Sequence, residues 1–350
     1  MRRGDLRDCR VTTREVPDPD AGEALLEIDA FGLTSNNVTY AVLGDSLSYW
    51  DFFPAGGGWG RIPVWGFAEV RTSRHPSLAE RTRVFGFCPP ATHLIVRPDR
   101  IAGASFVDAS PHRASLPPAY NSYALVDADR GYDSEREPQQ MLLRPLFFLS
   151  FLLADFLDEI AAPAAVISSA SSKAALGTGF LLARHGVKTT GLTSDANADF
   201  VREVGIYAQV ASYRQIDALD VEPAVYVDIS GDLEVRAAVH RHFGDALRNS
   251  IAVGQTHWED ASGPRRVLPG PEPVFFFAPD RIRTRTNDWG RRGLETRMEQ
   301  VWRPFVEWTD GWLEIARGSG AGDVVAAYRQ VLEGRCAPSV GHVLSLLSET

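Results

Sequence analysis

From residue 163 onward the chain repeats one pattern: a short apolar run, a turn, then apolar residues at helical spacing. The runs 164–168, 187–193, 208–210, 224–229 and 250–253 read as strands, and 173–185, 198–204 and 233–243 as helices between them. Strands alternating with helices must pair in parallel and be covered on both faces, which is a doubly wound parallel sheet of the α/β class. The first turn, 168–175 (SSASSKAA), holds only small residues ahead of its helix, apart from one lysine. Small residues let a pyrophosphate approach the backbone, and the helix N-terminus adds N–H donors and partial positive charge. The turn is not G-x-G-x-x-G: serines hold two glycine positions and Ala175 the third.

Ser169, Ala170, Ser171, Ser172 and Lys173 are therefore candidate cofactor contacts. A lysine in the first helical turn opposes the helix dipole unless an anion binds there. The other reading of Lys173 is a solvated helix residue, and the serines can cap the helix as well as hold phosphate. The second strand ends at Thr193, followed by Ser194 and Asp195. An acid at the strand end would hold the ribose hydroxyl of NAD, whereas hydroxyl residues suit the 2′-phosphate of NADPH. NADPH is the expected cofactor, ahead of NADH, with Asp195 free to cap the next helix. Tyr213 beyond the third strand, Ser230 and Gly231 beyond the fourth and Gly254 beyond the fifth complete the expected cofactor edge. His257, in the GQTH run 254–257, is a candidate acid or hydrogen-bond donor.

The first 100 residues read differently. Runs 24–30 (ALLEIDA), 62–70, 83–87 and 92–96 are short strands punctuated by glycine and proline, as in a small β-barrel. Residues 103–141 are polar and irregular, 274–278 return to strand, and 289–315 form a long helix with aromatic anchors. The apolar run 142–157 is interrupted by Arg144, Pro145 and Asp155, so it is expected to be a buried helix rather than a membrane span. A net charge of −9 argues against a general nucleic-acid surface. Cys9, Cys88 and Cys336 have neither metal nor disulfide spacing, and no secretory signal opens the chain, so a cytoplasmic location is expected.

The order of parts resembles the medium-chain dehydrogenase/reductase superfamily. The stretch 22–45 is similar to its GroES-like opening, 81–87 (RTRVFGF) to a barrel strand, and 164–205 to the Rossmann domain of the quinone oxidoreductase branch. The runs NNVTYAVLGDSLSYWDFFPAGGGWGRIPVWGFAEV, LLRPLFFLSFLLADF, SSASSKAALG, VDISGD and VGQTHWE are more closely similar to the family DUF2855. The resemblance implies a GroES-like β-barrel domain, 1–140 completed by 272–350, and a Rossmann domain, 141–271. Phe31 stands near the first zinc-cysteine position, Gly66 to Glu69 (GFAE) near the Gly-His-Glu motif, and no four-cysteine cluster exists. Without N/S ligands tetrahedral zinc has no site, so no metal is expected and the zinc-independent branch is nearer.

By that resemblance the substrate lies between the domains. Asn36, Asn37 and Tyr40 fall on the barrel segment lining it, with Asn37 and Tyr40 as polarising or proton-donating groups. Tyr49, Trp50 and Phe53 form an aromatic wall or, alternatively, core; Tyr120 and Asn121 are further candidates, and Asn36–Asn37 alternatively make a turn. Ser150 falls near the small hydroxyl residue that approaches the nicotinamide, or bonds its own helix. The implied function is NADPH-dependent reduction of an enone, quinone or acyl intermediate as a small-molecule substrate. The rivals are non-redox chemistry on an acyl or keto substrate, and a nucleotide-binding regulator or scaffold without turnover. A homodimer is compatible, because the superfamily commonly pairs Rossmann sheets edge to edge.

Overall fold

The structure is a computed structural model and describes residues 1–129, 131–253 and 267–347. Its contacts divide into two compact units, Met1–Leu142 with Leu313–Thr350, and Leu143–Trp312.

The first unit begins with β1 (Ala24–Leu33), whose buried positions include Leu26, Ile28, Phe31 and Leu33. A helix follows at once, α1 (Ser35–Val42), in place of the turn that is the alternative reading of Asn36–Asn37. The structural reason is a capping box: Thr34 N donates to Asn37 Oδ1 at 2.7 Å, and the Thr34 side chain receives the Asn37 N–H. Then come β2 (Val64–Ser73), β3 (Arg83–Cys88), β4 (His93–Val96), β5 (Pro98–Ala102), β6 (Ser105–Asp108) and β7 (Ser122–Leu125). The last two lie in the stretch that reads as irregular. Antiparallel pairing with β5 and β3 makes strands of them despite weak alternation.

Helix α2 (Glu137–Glu159) runs unbroken through Arg144, Pro145 and Asp155. It is long and apolar enough to cross a membrane by length and composition, but most of its apolar stretch is buried. Asp155 is no interruption because it is neutralised: Arg281 Nε and Arg285 Nε reach its carboxylate at 2.8 and 2.7 Å.

The second unit contains β8 (Ala164–Ile167), α3 (Lys173–Arg184), β9 (Lys188–Thr193), α4 (Ala198–Glu203), β10 (Gln209–Ser212), β11 (Ala224–Asp228), α5 (Leu233–Phe243), β12 (Leu247–Ala252) and β13 (Pro273–Phe275). All six strands are parallel, in the order β10-β9-β8-β11-β12-β13. Numbered along the sheet's own sequence this is 3-2-1-4-5-6, the Rossmann order, with a topological switch between β8 and β11. The sixth strand and α6 (Ala278–Thr309) group with this sheet. The sequence reading places 272–350 wholly with the first domain; parallel pairing of β13 on β12 is what moves the boundary to Trp312. Helix α6 starts earlier than the aromatic spacing indicates and breaks at Gly290, whose φ of 71° only glycine adopts freely. Its aromatics Trp302 and Phe305 pack on Phe147 of α2, Phe305 at a centroid distance of 4.2 Å.

The chain then returns to the first unit as β14 (Glu314–Ser319), α7 (Gly320–Leu332) and β15 (Val340–Ser345). Strands β14 and β15 pair in parallel, and β15 joins β1 antiparallel. The finished sheet has nine strands, ordered β14-β15-β1-β2-β3-β7-β6-β5 with β4 also on β1.

Candidate functional site

In an open parallel sheet the ligand crevice forms where the strand order reverses, at the carboxyl ends of the first and fourth strands. Here a closed polar network occupies the strand ends at that point. Ser168 Oγ donates to Asp228 Oδ1 (2.9 Å) and accepts from Ile229 N (3.0 Å) and Ser230 N (3.1 Å). Asp228 Oδ1 also accepts from Ser230 Oγ (2.9 Å) and Gly231 N (3.0 Å), and Oδ2 meets Arg236 Nε at 2.7 Å. Ser168 and Asp228 are fully buried. Both carboxylate oxygens of Asp228 and the Ser168 hydroxyl are thus engaged, and the two strand ends are locked together. Ser230 and Gly231 build this lock. The sequence reading missed Ser168, Asp228 and Arg236; an acid ending a wholly apolar strand, with an arginine eight residues on, was the available signal.

The turn after β8 is shaped for close approach. Ser169 has φ 54°, the left-handed region. Its N–H donates to the Tyr213 hydroxyl at 3.0 Å, which joins the two residues. Ala170 N bonds Leu192 O at 2.9 Å, and a Cβ added at Gly191 would lie 3.0 Å from Ala170 Cβ, so only glycine lets the turn seat on β9. Tyr207 Oη reaches Ala170 O and Ala175 O at 3.1 and 2.9 Å from below. Ser172 caps α3, accepting from Ala175 N at 3.3 Å, so capping accounts for that serine. Ser171 Oγ accepts from Thr193 Oγ1 (3.4 Å) and Asn197 Nδ2 (3.1 Å), tying the turn to the end of β9. Lys173, half-buried, is the first residue of α3.

A non-glycine residue at this φ costs about 1 kcal/mol, and Ser169 Oγ makes no hydrogen bond with the described residues. Ser169→Gly should therefore raise the melting temperature by about 2 °C, while Ser169→Val lowers it. A fall in Tm for the glycine variant would show that the serine side chain carries more than its backbone angle indicates.

At the end of β9, Thr193 is buried and Ser194 half-buried. Asp195 is exposed and does not cap α4; Asn197 stands at that position. Instead Asp195 Oδ2 lies 3.3 Å from Nε of Arg214, itself exposed beside Tyr213. Arg214 was not anticipated, although an arginine near the ribose edge is a known means of accommodating a 2′-phosphate. Ser150 is fully buried, with its hydroxyl 3.0 Å from Leu146 O and 2.8 Å from Ala174 O. Its proton is shared between those carbonyls, so it joins α2 to α3 rather than presenting a hydroxyl to a ligand. Gly254 and His257 lie outside the described residues.

In the first unit, three phenols meet. The Tyr40 hydroxyl is reached by Trp65 Nε1 (3.4 Å) and by Asn36, and bears on Tyr120; Tyr120 Oη lies 3.1 Å from Tyr49 Oη. Phe52, Phe53 and Phe87 pack around them. Burial pushes the pKa of Tyr40, Tyr49 and Tyr120 above that of an ordinary phenol. Each therefore stays protonated at neutral pH and can donate. The Tyr49–Tyr120 bond can run in either sense, so the set can relay a proton. The structure brings Asn36, Tyr40, Tyr49, Tyr120 and Phe53 together, with Tyr40 and Phe53 in a buried aromatic core, the alternative reading of those aromatics.

Asn37, Trp50 and Asn121 are not part of that group. Asn37 completes the capping box and donates Nδ2 to Pro63 O at 2.9 Å. Trp50 is 1% exposed, wedged where a Cβ on Gly44 or Gly60 would collide with its ring. Asn121 Nδ2 holds Arg113 O at 3.1 Å. All three are buried structural residues. Among the described residues no group of three or more His, Cys, Asp and Glu side chains could hold a metal ion.

Among solved structures, the chain is similar to CurA from Vibrio vulnificus in complex with NADPH, at TM-score 0.63 and 12% identity, covering 97% of this chain and 94% of that one. A putative NADPH:quinone reductase from Mesorhizobium loti matches at TM-score 0.60 and 12% identity, covering 94% and 88%. The yhdH oxidoreductase from Salmonella enterica in complex with NADP matches at 0.55 and 12%, covering 96% and 95%. At such identities the likeness establishes the fold, that of medium-chain reductases with a GroES-like and a Rossmann part. No curated protein matches by sequence. Residues 31–337 match the family described as Protein of unknown function (DUF2855), and the chain belongs to that family.

Proposed function

We propose that the chain is a zinc-independent, NADPH-dependent reductase that transfers hydride to an activated double bond or carbonyl. The observation that carries the reading is the 3-2-1-4-5-6 sheet whose first strand enters α3 through a left-handed, small-residue turn. The residues present fit a dinucleotide phosphate. The turn has no bulky side chain before Lys173, and α3 directs its N-terminus there. Thr193, Ser194 and Arg214 supply hydroxyls and a cation at the end of β9, where a 2′-phosphate would be held.

The nicotinamide, when bound, supplies hydride. The chain's own residues bind and position. Lys173 offsets phosphate charge, and the Ser168–Asp228–Arg236 lock keeps the switch point rigid. Tyr40, with Tyr120 and Tyr49 behind it, holds a neutral phenol proton for a carbonyl oxygen or an enolate. The reading includes a small-molecule substrate, a cytoplasmic setting and a homodimer.

The test is calorimetric titration of NADPH and NADH into wild type, Lys173→Ala and Arg214→Ala, followed by NADPH oxidation with enones and quinones. NADPH should bind more tightly than NADH. Lys173→Ala should weaken both by about tenfold, the loss of one charge-assisted contact, and Arg214→Ala should weaken NADPH alone. Binding of neither nucleotide would overturn the proposal and favour non-redox chemistry on an acyl substrate. Nucleotide binding with no acceptor reduced would favour a regulator.

A further inference from the structure

A cavity of about 880 Å³ lies within the first unit beneath the N-terminal segment, and none of the phenols or cofactor contacts of the reductase reading lines it. Its volume falls in the range of small-molecule sites. Leu25, Leu33, Val64, Val324 and Leu346 give it an apolar wall. Arg10, Arg14 and Arg61 line it as well. Arg61 is half-buried, its Nη1 held by the carbonyls of Phe53 (3.3 Å) and Pro54. Burial lowers the Arg61 pKa, and the charge of Arg14, on the same lining, lowers it further. Among the described residues no carboxylate lies within 4.0 Å of any of these three guanidinium groups, and Glu15 is the one acid in the lining.

Unpaired like charges converging beside apolar surface are unfavourable for the fold alone. They are more unexpected in a chain of net charge −9. An anion on a hydrocarbon body satisfies both features at once. The covering segment also has a way to open. Residues 1–10 are tied down: Gly60 N to Met1 O (2.8 Å), Arg3 N to Gly58 O (2.9 Å), Tyr328 Oη to Leu6 O (2.7 Å), and Arg10 over the Trp59 ring at 4.0 Å. Residues 11–18 make no hydrogen bond with the described residues, so lifting them breaks none. None of the three phenols is in the lining; Phe52 and Phe53 stand between, lining the cavity on one side and packing on the phenol cluster on the other.

We propose that this cavity binds a fatty carboxylate, with its head at Arg14 and Arg61 and its chain along the wall from Leu33 to Val324. The probe is decanoate, with decanol as its uncharged counterpart, followed by calorimetry on the full chain. Decanoate should saturate one site, and decanol should bind at least about tenfold more weakly, the worth of one charge-assisted contact. Arg14→Gln, on an exposed segment where folding is not at stake, should weaken decanoate by a similar factor. Val325→Phe, which narrows the cavity from α7, should abolish binding while an unchanged melting curve shows the fold intact. Tyr40→Phe should leave it unaltered, which separates this site from the phenol cluster. The absence of saturable binding, equal binding of decanol, or decanoate binding indifferent to both cavity variants would overturn the proposal.

Discussion

Asp108→Ala should destabilise the first unit by about 3–5 kcal/mol, enough to unfold much of the population at 37 °C. Asp108 and Arg113 have side chains only 1% exposed and meet at 3.1 Å. Asp108 Oδ1 also gathers Arg97 N (3.0 Å), Ser110 N (3.0 Å) and Ser110 Oγ (2.6 Å), which holds the loop after β6. Arg113 stacks on Phe53 at 4.6 Å and donates to the Tyr123 hydroxyl at 3.3 Å, which in turn bonds Phe87 O at 2.6 Å. Removing the carboxylate leaves a buried guanidinium without its counter-charge, and that residue charge is the main cost. Adding Arg113→Met to Asp108→Asn should therefore recover part of the loss, since a buried pair is often replaceable by apolar packing. Chemical denaturation of the single and double variants measures this. A loss below about 1 kcal/mol for Asp108→Ala would mean the pair is hydrated in solution.

Alkaline pH should unfold the protein cooperatively, beginning just above pH 10. Burial raises the pKa of Tyr40, Tyr49, Tyr120 and Tyr123 in the first unit, and of Tyr207 and Tyr226 in the second, from an ordinary value of 10.0. The folded state keeps these protons after the unfolded state has lost them. Their contribution is therefore complete below pH 10 and declines as pH rises toward the folded values. Each phenol removes about 1.4 kcal/mol per pH unit. These four phenols remove about 6 kcal/mol per unit from the first unit, to which the raised Tyr132 and Tyr328 add, and the two remove about 3 from the second, to which Tyr213 adds. Against a total stability of about 5–15 kcal/mol, the first unit should melt first, within about one to two pH units. Tyrosinate absorbance near 295 nm should rise in step with loss of circular dichroism. Gradual ionisation from pH 10 with native dichroism would show that these phenols reach solvent.

Legibility differed with the range of the interaction. Helix α5 and the strands of the parallel sheet were readable because apolar spacing is local and each element is buried on its own periodic face. The phosphate turn was readable for the same reason: strand, small residues and helix are consecutive in the chain. Asn36, Tyr40 and Tyr49 could be nominated from one short stretch, but their union with Tyr120 and Trp65 depends on β-sheet pairing and loop packing that no spacing encodes. Asn37 beside Asn36 illustrates the limit, since side chains one residue apart on α1 face different partners.

The sequence by itself determined the parallel sheet and the turn before α3, because each is written in neighbouring residues. Only the tertiary structure decided which polar groups are already satisfied. Ser150 sits between two carbonyls, Trp50 sits between two glycines, and Asp228 is closed in by Ser168 and Arg236. It alone also gathered Arg10, Arg14 and Arg61 around one cavity. Whether a polar side chain can serve a ligand depends on what already occupies its hydrogen bonds, and those partners come from distant parts of the chain.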